Sequence, residues 1–187
     1  MKLVDIIKNK KLFLNEQAMF GTDKENPHKY CSLFYDSEFL KYKNQKISLF
    51  EIGVYHGGSL ILWDEYFSDC NILGVDIEER KVLQNIKDCK KVTFKIADAY
   101  QKDFSDTLDS FDILIDDGPH TLESQCKFLE LYCNKINKGG VLIIEDILEY
   151  EYIEKFKQYV PDNLMYEIKD LRRNSSKKDN ILFVVRN

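Results

Sequence analysis

From Ser48 onward, short apolar runs alternate with segments of mixed polarity. The runs are SLFEIGV (48–54), NILGVDI (71–77), VTFKIAD (92–98), FDILIDD (111–117) and GVLIIED (140–146). Each is rich in Ile, Val and Phe and mostly continuous, as expected of strands buried on both faces. Helix-like segments separate most of them, at 59–67, 78–87, 121–136 and 149–160. This order predicts a parallel sheet covered by helices on both faces. The clearest helix is 121–136, where Leu122, Cys126, Leu129, Cys133 and Ile136 recur at helical spacing and Gly139-Gly140 reads as the stop. The last two runs, 165–171 and 181–186, are joined by RNSSKKDN. That link is too short for a crossover helix, so the two strands are expected to pair antiparallel.

The first 45 residues follow a different pattern. Leu3, Ile6, Ile7, Leu12 and Phe13 give weak helical periodicity. The polar stretch GTDKENPHKY (21–30) reads as a loop. A second helix is expected over about 28–43, with Cys31, Phe34, Tyr35 and Phe39 near one face. Residues 1–45 are thus N-terminal helices and a loop, and 46–187 an α/β core, in a single domain.

Composition narrows the class. A chain of 187 residues, 44% hydrophobic and 13% aromatic, has material for one sizeable core. The net charge of −5 and scattered Lys residues give no basic face for nucleic acid. The five cysteines are odd in number and form no C-x-x-C pair, which suits free thiols in a reducing compartment. Cys126 and Cys133 fit core packing on their helix. The N-terminus MKLVDIIKNKKLFL is too charged for a signal peptide, and no apolar run has transmembrane length. The expectation is a soluble cytoplasmic protein with no membrane partner.

The chemistry gathers at the ends of the strands. Asp76, Asp98, Asp116-Asp117 and Glu145-Asp146 close four successive apolar runs. In open α/β sheets, ligands bind outside the carboxyl ends of the strands. Three carboxylates converging there, Asp117, Glu145 and Asp146, would repel one another unless a cation lay between them. A hard divalent ion with oxygen ligands, Mg²⁺ first, answers that need. His120, three residues after Asp117, suits a general base at neutral pH. The bland alternative is that Asp116 or Asp117 caps the next helix and His120 faces solvent.

The first strand ends in E-x-G-x-x-x-G-G, with Glu51, Gly53, Gly57 and Gly58. This is neither the dinucleotide pattern nor a Walker A loop. Asp76, at the end of the second strand, is placed to accept hydrogen bonds from ribose hydroxyls. His56 lines a nucleotide pocket or faces solvent, and His28 lies in the polar loop. Trp63 and the many Tyr and Phe residues read as core.

Together these residues resemble class I S-adenosylmethionine-dependent methyltransferases, whose fold is Rossmann-like with a seven-stranded, mainly parallel sheet and a C-terminal antiparallel hairpin. The more specific resemblance is to the metal-dependent sugar O-methyltransferases of macrolide biosynthesis, of the mycinamicin/macrocin type, and to cephalosporin-hydroxylase-like relatives. It is carried by Gly21-Thr22-Asp23-Lys24, LFEIGVYHGGSLILWDEYF, GVDI, IDDGPH and IIEDI. The resemblance implies Mg²⁺ on Asp117, Glu145 and Asp146, with His120 as general base. It implies S-adenosylmethionine against Glu51, Gly53, Gly57 and Ser59, ribose on Asp76, Asp98 near the adenine, and Asp116 as a loop or cofactor-side contact. It further implies a carbohydrate-containing acceptor and is compatible with a homo-oligomer, while the polarity and position of the Gly21–Tyr30 loop make it a candidate lid. Pro119 departs from the usual Ser and Ala99 from a frequent Gln. The alternatives are a methyltransferase acting on catechols or phenols, and a cofactor-binding domain without catalysis. The acids lack the two-His-one-carboxylate set of an iron hydroxylase.

Overall fold

The structure is a computed structural model that describes residues 1–14, 20–175 and 177–187. Seven strands form one sheet in the order β3-β2-β1-β4-β5-β7-β6. They are β1 (Lys46–Ile52), β2 (Asp69–Asp76), β3 (Val92–Ile96), β4 (Phe111–Asp116), β5 (Ile136–Ile144), β6 (Met165–Asp170) and β7 (Ile181–Arg186). β1 to β5 pair in parallel. β7 runs antiparallel between β5 and β6, which is the terminal hairpin expected from the short 171–180 link. From β1 the chain proceeds outward through β2 and β3, then returns to β4 on its other side. That reversal opens a crevice at the carboxyl ends of β1 and β4.

Alternate strand residues feed two cores. Leu49, Ile113, Val141 and Val184 face one side, packing with Leu3, Tyr35, Phe39 and Trp63. Phe50, Leu114, Leu142 and Phe183 face the other, with Phe128, Tyr132 and Phe156. The strands read as continuous apolar runs because both sides are covered. The first side is covered by α1 (Leu3–Lys10), the helical stretch 31–41 and α3 (Gly58–Tyr66). The second is covered by α6 (Leu122–Tyr132) and α7 (Tyr152–Phe156). Among the described residues, no helix is long and apolar enough to cross a membrane. All five cysteines are free, and Cys133 packs in the second core.

Several local expectations are revised. The helix expected over 28–43 is a π-helical turn (Cys31–Tyr35), one α-helical turn (α2, Asp36–Glu38) and a 3-10 turn (Phe39–Lys41). The wider π turn coincides with two adjacent aromatics, Phe34 and Tyr35, both buried. Gly139-Gly140 do not stop a helix. α6 gives way to a 3-10 turn at Cys133–Lys135, and both glycines lie inside β5, beside a register shift between Phe111 and Ile113. The segment 78–87 keeps only a short helix, α4 (Val82–Asn85), and a further short helix, α5 (Lys102–Asp106), links β3 to β4.

Gly53 joins the two central strand ends. Its φ is +80°, and a Cβ there would lie 1.9 Å from the Asp117 carbonyl oxygen. Asp117 N donates to Ile52 O at 3.0 Å across the same gap. Gly139 has a similar φ of +79° but nothing within 4 Å. Gly139→Ala should therefore cost about 1 kcal/mol, the left-handed backbone penalty alone. Gly53→Ala adds a clash with backbone and should cost clearly more than that figure of about 1 kcal/mol. Urea unfolding midpoints of the two variants check this; equal losses would remove the close approach as the reason for Gly53.

Candidate active site

A cavity of about 370 Å³ opens at the carboxyl ends of the parallel strands. That is within the usual range for small-molecule sites, roughly 300–1,000 Å³. Its wall includes Gly53, Val54, Tyr55, Ser59, Asp76, Arg80, Ala99, Tyr100, Asp117 and His120. Of the residues singled out from sequence, Gly53, Ser59, Asp76, Asp117 and His120 are on this wall. Glu51, Gly57 and Asp116 are buried off this wall, and Asp98 is exposed outside it.

The reasons are local. Asp76 ends β2 and accepts backbone N–H groups of Tyr55 (3.0 Å) and Glu78 (3.2 Å), with the Arg80 guanidinium 3.4 Å away. Arg80 also lies over the Tyr55 ring, 5.1 Å from its centre. Glu51 alternates onto the face covered by α3 and is fully buried. It accepts from Trp63 Nε1 at 2.9 Å and pairs with Lys24 Nζ at 3.3 Å, so it is a structural anchor beneath the cavity. Gly57 is the left-handed residue that starts α3. Asp98 is spent on its own turn, accepting from Tyr100 N and Gln101 Nε2. Asp116 faces inward, where the Tyr100 hydroxyl (2.5 Å) and Gly118 N (3.3 Å) donate to it. Burial pushes its carboxyl up to about 7.

The acidic centre lies beside the cavity, where β4 and β5 end. Its organising group is Lys24. The side chain is fully buried, with Nζ 2.5 Å from Glu145 Oε2, 2.8 Å from Asp117 Oδ2 and 3.3 Å from Glu51 Oε1. Burial alone would lower the lysine pKa, but Asp117, Glu145 and Glu51 together hold it well above the usual range. The Tyr35 hydroxyl donates to Glu145 Oε1. The Tyr30 hydroxyl donates to Asp146 Oδ1 at 2.6 Å, and His28 Nδ1 lies 3.2 Å from the same oxygen. The other oxygens of the two aspartates, Asp117 Oδ1 and Asp146 Oδ2, each lie 3.8 Å from His120 Nε2.

Among the described residues, two groups of potential metal ligands share Asp146: one with Asp117 and His120, the other with Asp23 and His28. Within each, the ligand atoms lie within 4.8 Å of one another. Burial raises the pKa of Asp117 and of Asp146, and lifts Glu145 to about 7. Carboxylates that crowd each other out of water in this way, with hard oxygen donors to spare, fit a divalent cation. His120 and Asp146 hold left-handed backbone, with φ of 58° and 52°. Such strain costs about 1–3 kcal/mol per residue and concentrates at functional sites.

The stretch Gly21–Tyr30 lines the cavity with Gly21, Thr22 and Asp23. Lys24, His28 and Tyr30 are buried to 0%, 3% and 1% exposure beneath the acids. The space comes from Gly58, where a Cβ would lie 2.0 Å from the Gly21 carbonyl oxygen. Sequence reasoning missed Lys24, Tyr30, Tyr35 and Tyr100 as site residues. For Lys24, Tyr30 and Tyr35 the available signal was the GTDK run before an aromatic-rich segment.

This sheet order, with an acidic crevice beside its central strands, defines a Rossmann-like methyltransferase fold. A methyltransferase-domain family matches residues 50–147, more than half of the chain, and the chain belongs to that family. Among curated proteins it is 28% identical over 160 residues to the 8-demethyl-8-alpha-L-rhamnosyl tetracenomycin-C 2'-O-methyltransferase of Streptomyces olivaceus. That match covers 82% of this chain and 42% of the relative. It is 30% identical over 125 residues to the mycinamicin VI 2''-O-methyltransferase of Micromonospora griseorubida, covering 60% of this chain and 30% of the relative. The solved structure of the MycE methyltransferase with Mg, SAH and mycinamycin VI aligns over all of this chain and 54% of its own, with TM-score 0.75 and 19% identity. The chain thus spans about two fifths or less of these curated relatives and about half of that solved chain.

Removing one partner of a buried ion pair costs about 3–5 kcal/mol, so Lys24→Met should lower unfolding free energy by that order. Glu145, lifted to about 7, holds its proton more tightly folded than unfolded, where its pKa is about 4.3. The stability this gives is full below the unfolded value and is lost as pH rises through about 7. In chelator, calorimetry should find the melting temperature falling from about pH 5 to 8. The fall should be steeper in Lys24→Met, where the carboxylates lack their ammonium. A flat profile in the variant would refute this account of Lys24.

Proposed function

We propose that this protein is an S-adenosylmethionine- and Mg²⁺-dependent O-methyltransferase acting on a sugar hydroxyl of a carbohydrate-containing acceptor. The observation that carries the reading is the placement of His120. Its Nε2 faces Asp117 Oδ1 and Asp146 Oδ2 at 3.8 Å each, at the wall of the cavity. When bound, the ion acidifies and orients a hydroxyl, and S-adenosylmethionine supplies the methyl group.

The rest is the work of this chain's residues. Asp117 and Asp146 would hold the ion, and Glu145 would join through an oxygen it already shares with Lys24 or Tyr35, since a carboxylate oxygen has two lone pairs. Gly53, Ser59 and Asp76 would hold the cofactor, with Asp76 taking ribose hydroxyls. Glu51, Gly57 and Asp116 support that wall from within the core. His120 Nε2 would take the acceptor proton. Burial lowers its pKa, against the opposing pull of Asp146, so the imidazole is free to accept. Fixing donor and acceptor side by side would supply much of the rate.

In this reading residues 46–187 are the catalytic core and residues 1–45 complete its site, in one domain. A cytoplasmic location, and assembly into a homo-oligomer, belong to the same proposal. The sugar acceptor is favoured by the O-methyltransferase activities of the relatives and by His120 standing where a catechol enzyme commonly has Lys.

The test is methyl transfer to a panel of glycosides and catechols, with and without chelator. Glycosides should be methylated, and chelation should abolish turnover. His120→Ala should lose about 100- to 10,000-fold in kcat/KM, the usual worth of a general base. The acid limb of the wild-type profile should fall below the ordinary histidine value of about 6.5, because a depressed pKa keeps the base deprotonated to lower pH. Catechol turnover without glycoside turnover would replace the acceptor class; full activity in chelator would remove the metal.

A further inference from the structure

We propose that Lys24, His28, Tyr30 and Tyr35 are positioning residues, a donor brace that turns Asp117 Oδ1 and Asp146 Oδ2 toward one point and leaves them for the cation. The proposal rests on the metal reading above and goes beyond it, because none of the four residues touches the cavity or needs to touch the ion.

The bonding is divided oxygen by oxygen. At Asp117, Lys24 Nζ holds Oδ2 at 2.8 Å and Oδ1 faces His120. At Asp146, Tyr30 holds Oδ1 at 2.6 Å, His28 Nδ1 lies 3.2 Å from it, and Oδ2 faces His120. Glu145 is held from both ends, Oε1 by Tyr35 and Oε2 by Lys24 at 2.5 Å. A carboxylate with one oxygen tied cannot rotate without breaking that bond, so the other oxygen has a fixed direction. Such outer partners orient metal ligands and tune their basicity.

The donors are themselves fixed. The Tyr35 ring stacks on Phe39 at 4.7 Å and meets Trp63 edge-on at 5.5 Å. Tyr30 packs edge-on to Tyr35 and against His28. The tautomer of His28 follows from Asn180. Its Nδ2 donates to Leu171 O at 3.0 Å, which turns Oδ1 toward His28 Nδ1 at 3.2 Å. Nδ1 therefore faces two acceptors, Asn180 Oδ1 and Asp146 Oδ1, and must carry the proton it donates. All four donors come from residues 24–35, and all three carboxylates lie beyond β4 and β5. One short segment thus sets the geometry of two strand ends.

The experiment measures Mn²⁺ affinity by electron paramagnetic resonance of the free ion, and SAH affinity and melting temperature by calorimetry. Tyr30→Phe removes one hydroxyl and keeps the ring. It should weaken Mn²⁺ binding about 10-fold or more, the usual scale for losing an outer partner, with SAH affinity unchanged. His28→Ala should do the same. His28→Asn, whose amide N–H can stand where Nδ1–H does, should recover most of the loss. If Tyr30→Phe does not fold, the two His28 variants decide. Unchanged Mn²⁺ affinity in the variants overturns the brace and leaves the metal reading standing. Parallel loss of Mn²⁺ and SAH makes these residues merely structural and also overturns it. A wild-type protein that binds no Mn²⁺ sinks the metal reading itself, and the brace with it.

Discussion

One buried ammonium group makes the acidic edge of this sheet tenable. Lys24 brings a single positive charge, fully out of water, against Glu51, Asp117 and Glu145. Removing a carboxylate from water is expensive, and it is tolerated where a partner and hydrogen bonds accompany it. The three acids come from the ends of β1, β4 and β5, so their common partner ties those ends to the N-terminal segment. Asp146, next to Glu145 and without contact to Lys24, is tied by Tyr30 and His28 instead. The charge balance stays incomplete: one lysine stands against four carboxylates. That residual charge is turned toward His120, whose Nε2 lies 3.8 Å from Asp117 Oδ1 and from Asp146 Oδ2.

Rigid elements carry the site. The tips of β1 and β4 touch through Gly53 and Asp117, and Glu145 N donates to Asp116 O to link β4 with β5. His120 and Asp146 are held in left-handed backbone by this framework. Cavity and acidic centre meet at Asp117 and His120, which belong to both. A reaction between a small molecule in the cavity and a hydroxyl at the acidic centre needs this adjacency. Positioning on strand ends, braced from below, gives more definition than loops alone would.

The strand-end acids were legible from their abrupt place after apolar runs, and Asp76, Asp117 and His120 stand where that pattern put them. Their neighbours were less so. Asp98, Asp116 and Glu51 look alike in sequence, as acids at strand ends, yet none reaches the cavity wall. Side-chain direction separates them: Glu51 alternates onto the α3 face, Asp116 is turned inward to Tyr100, and Asp98 closes its own turn. The same limit hid Tyr30 and Tyr35, whose rings are core while their hydroxyls reach the acids. Lys24, in a polar run with Gly and Pro nearby, read as part of a mobile cover.

By itself the sequence determined the sheet. Continuous apolar runs, separated by helical segments and ended by a hairpin too short to cross over, leave little choice of architecture. Local periodicity and chain length carry that information, and neither depends on distant partners. It also located most of the acids at one edge, where the apolar runs stop. Only the tertiary structure decided which acid does what. The partners of Asp117 and Glu145 lie 93 and 121 residues away, at Lys24. Pairings over that distance leave no periodic trace. They are fixed by packing, when the aromatic segment 31–41 docks on the sheet and carries Lys24 beneath the ends of three strands.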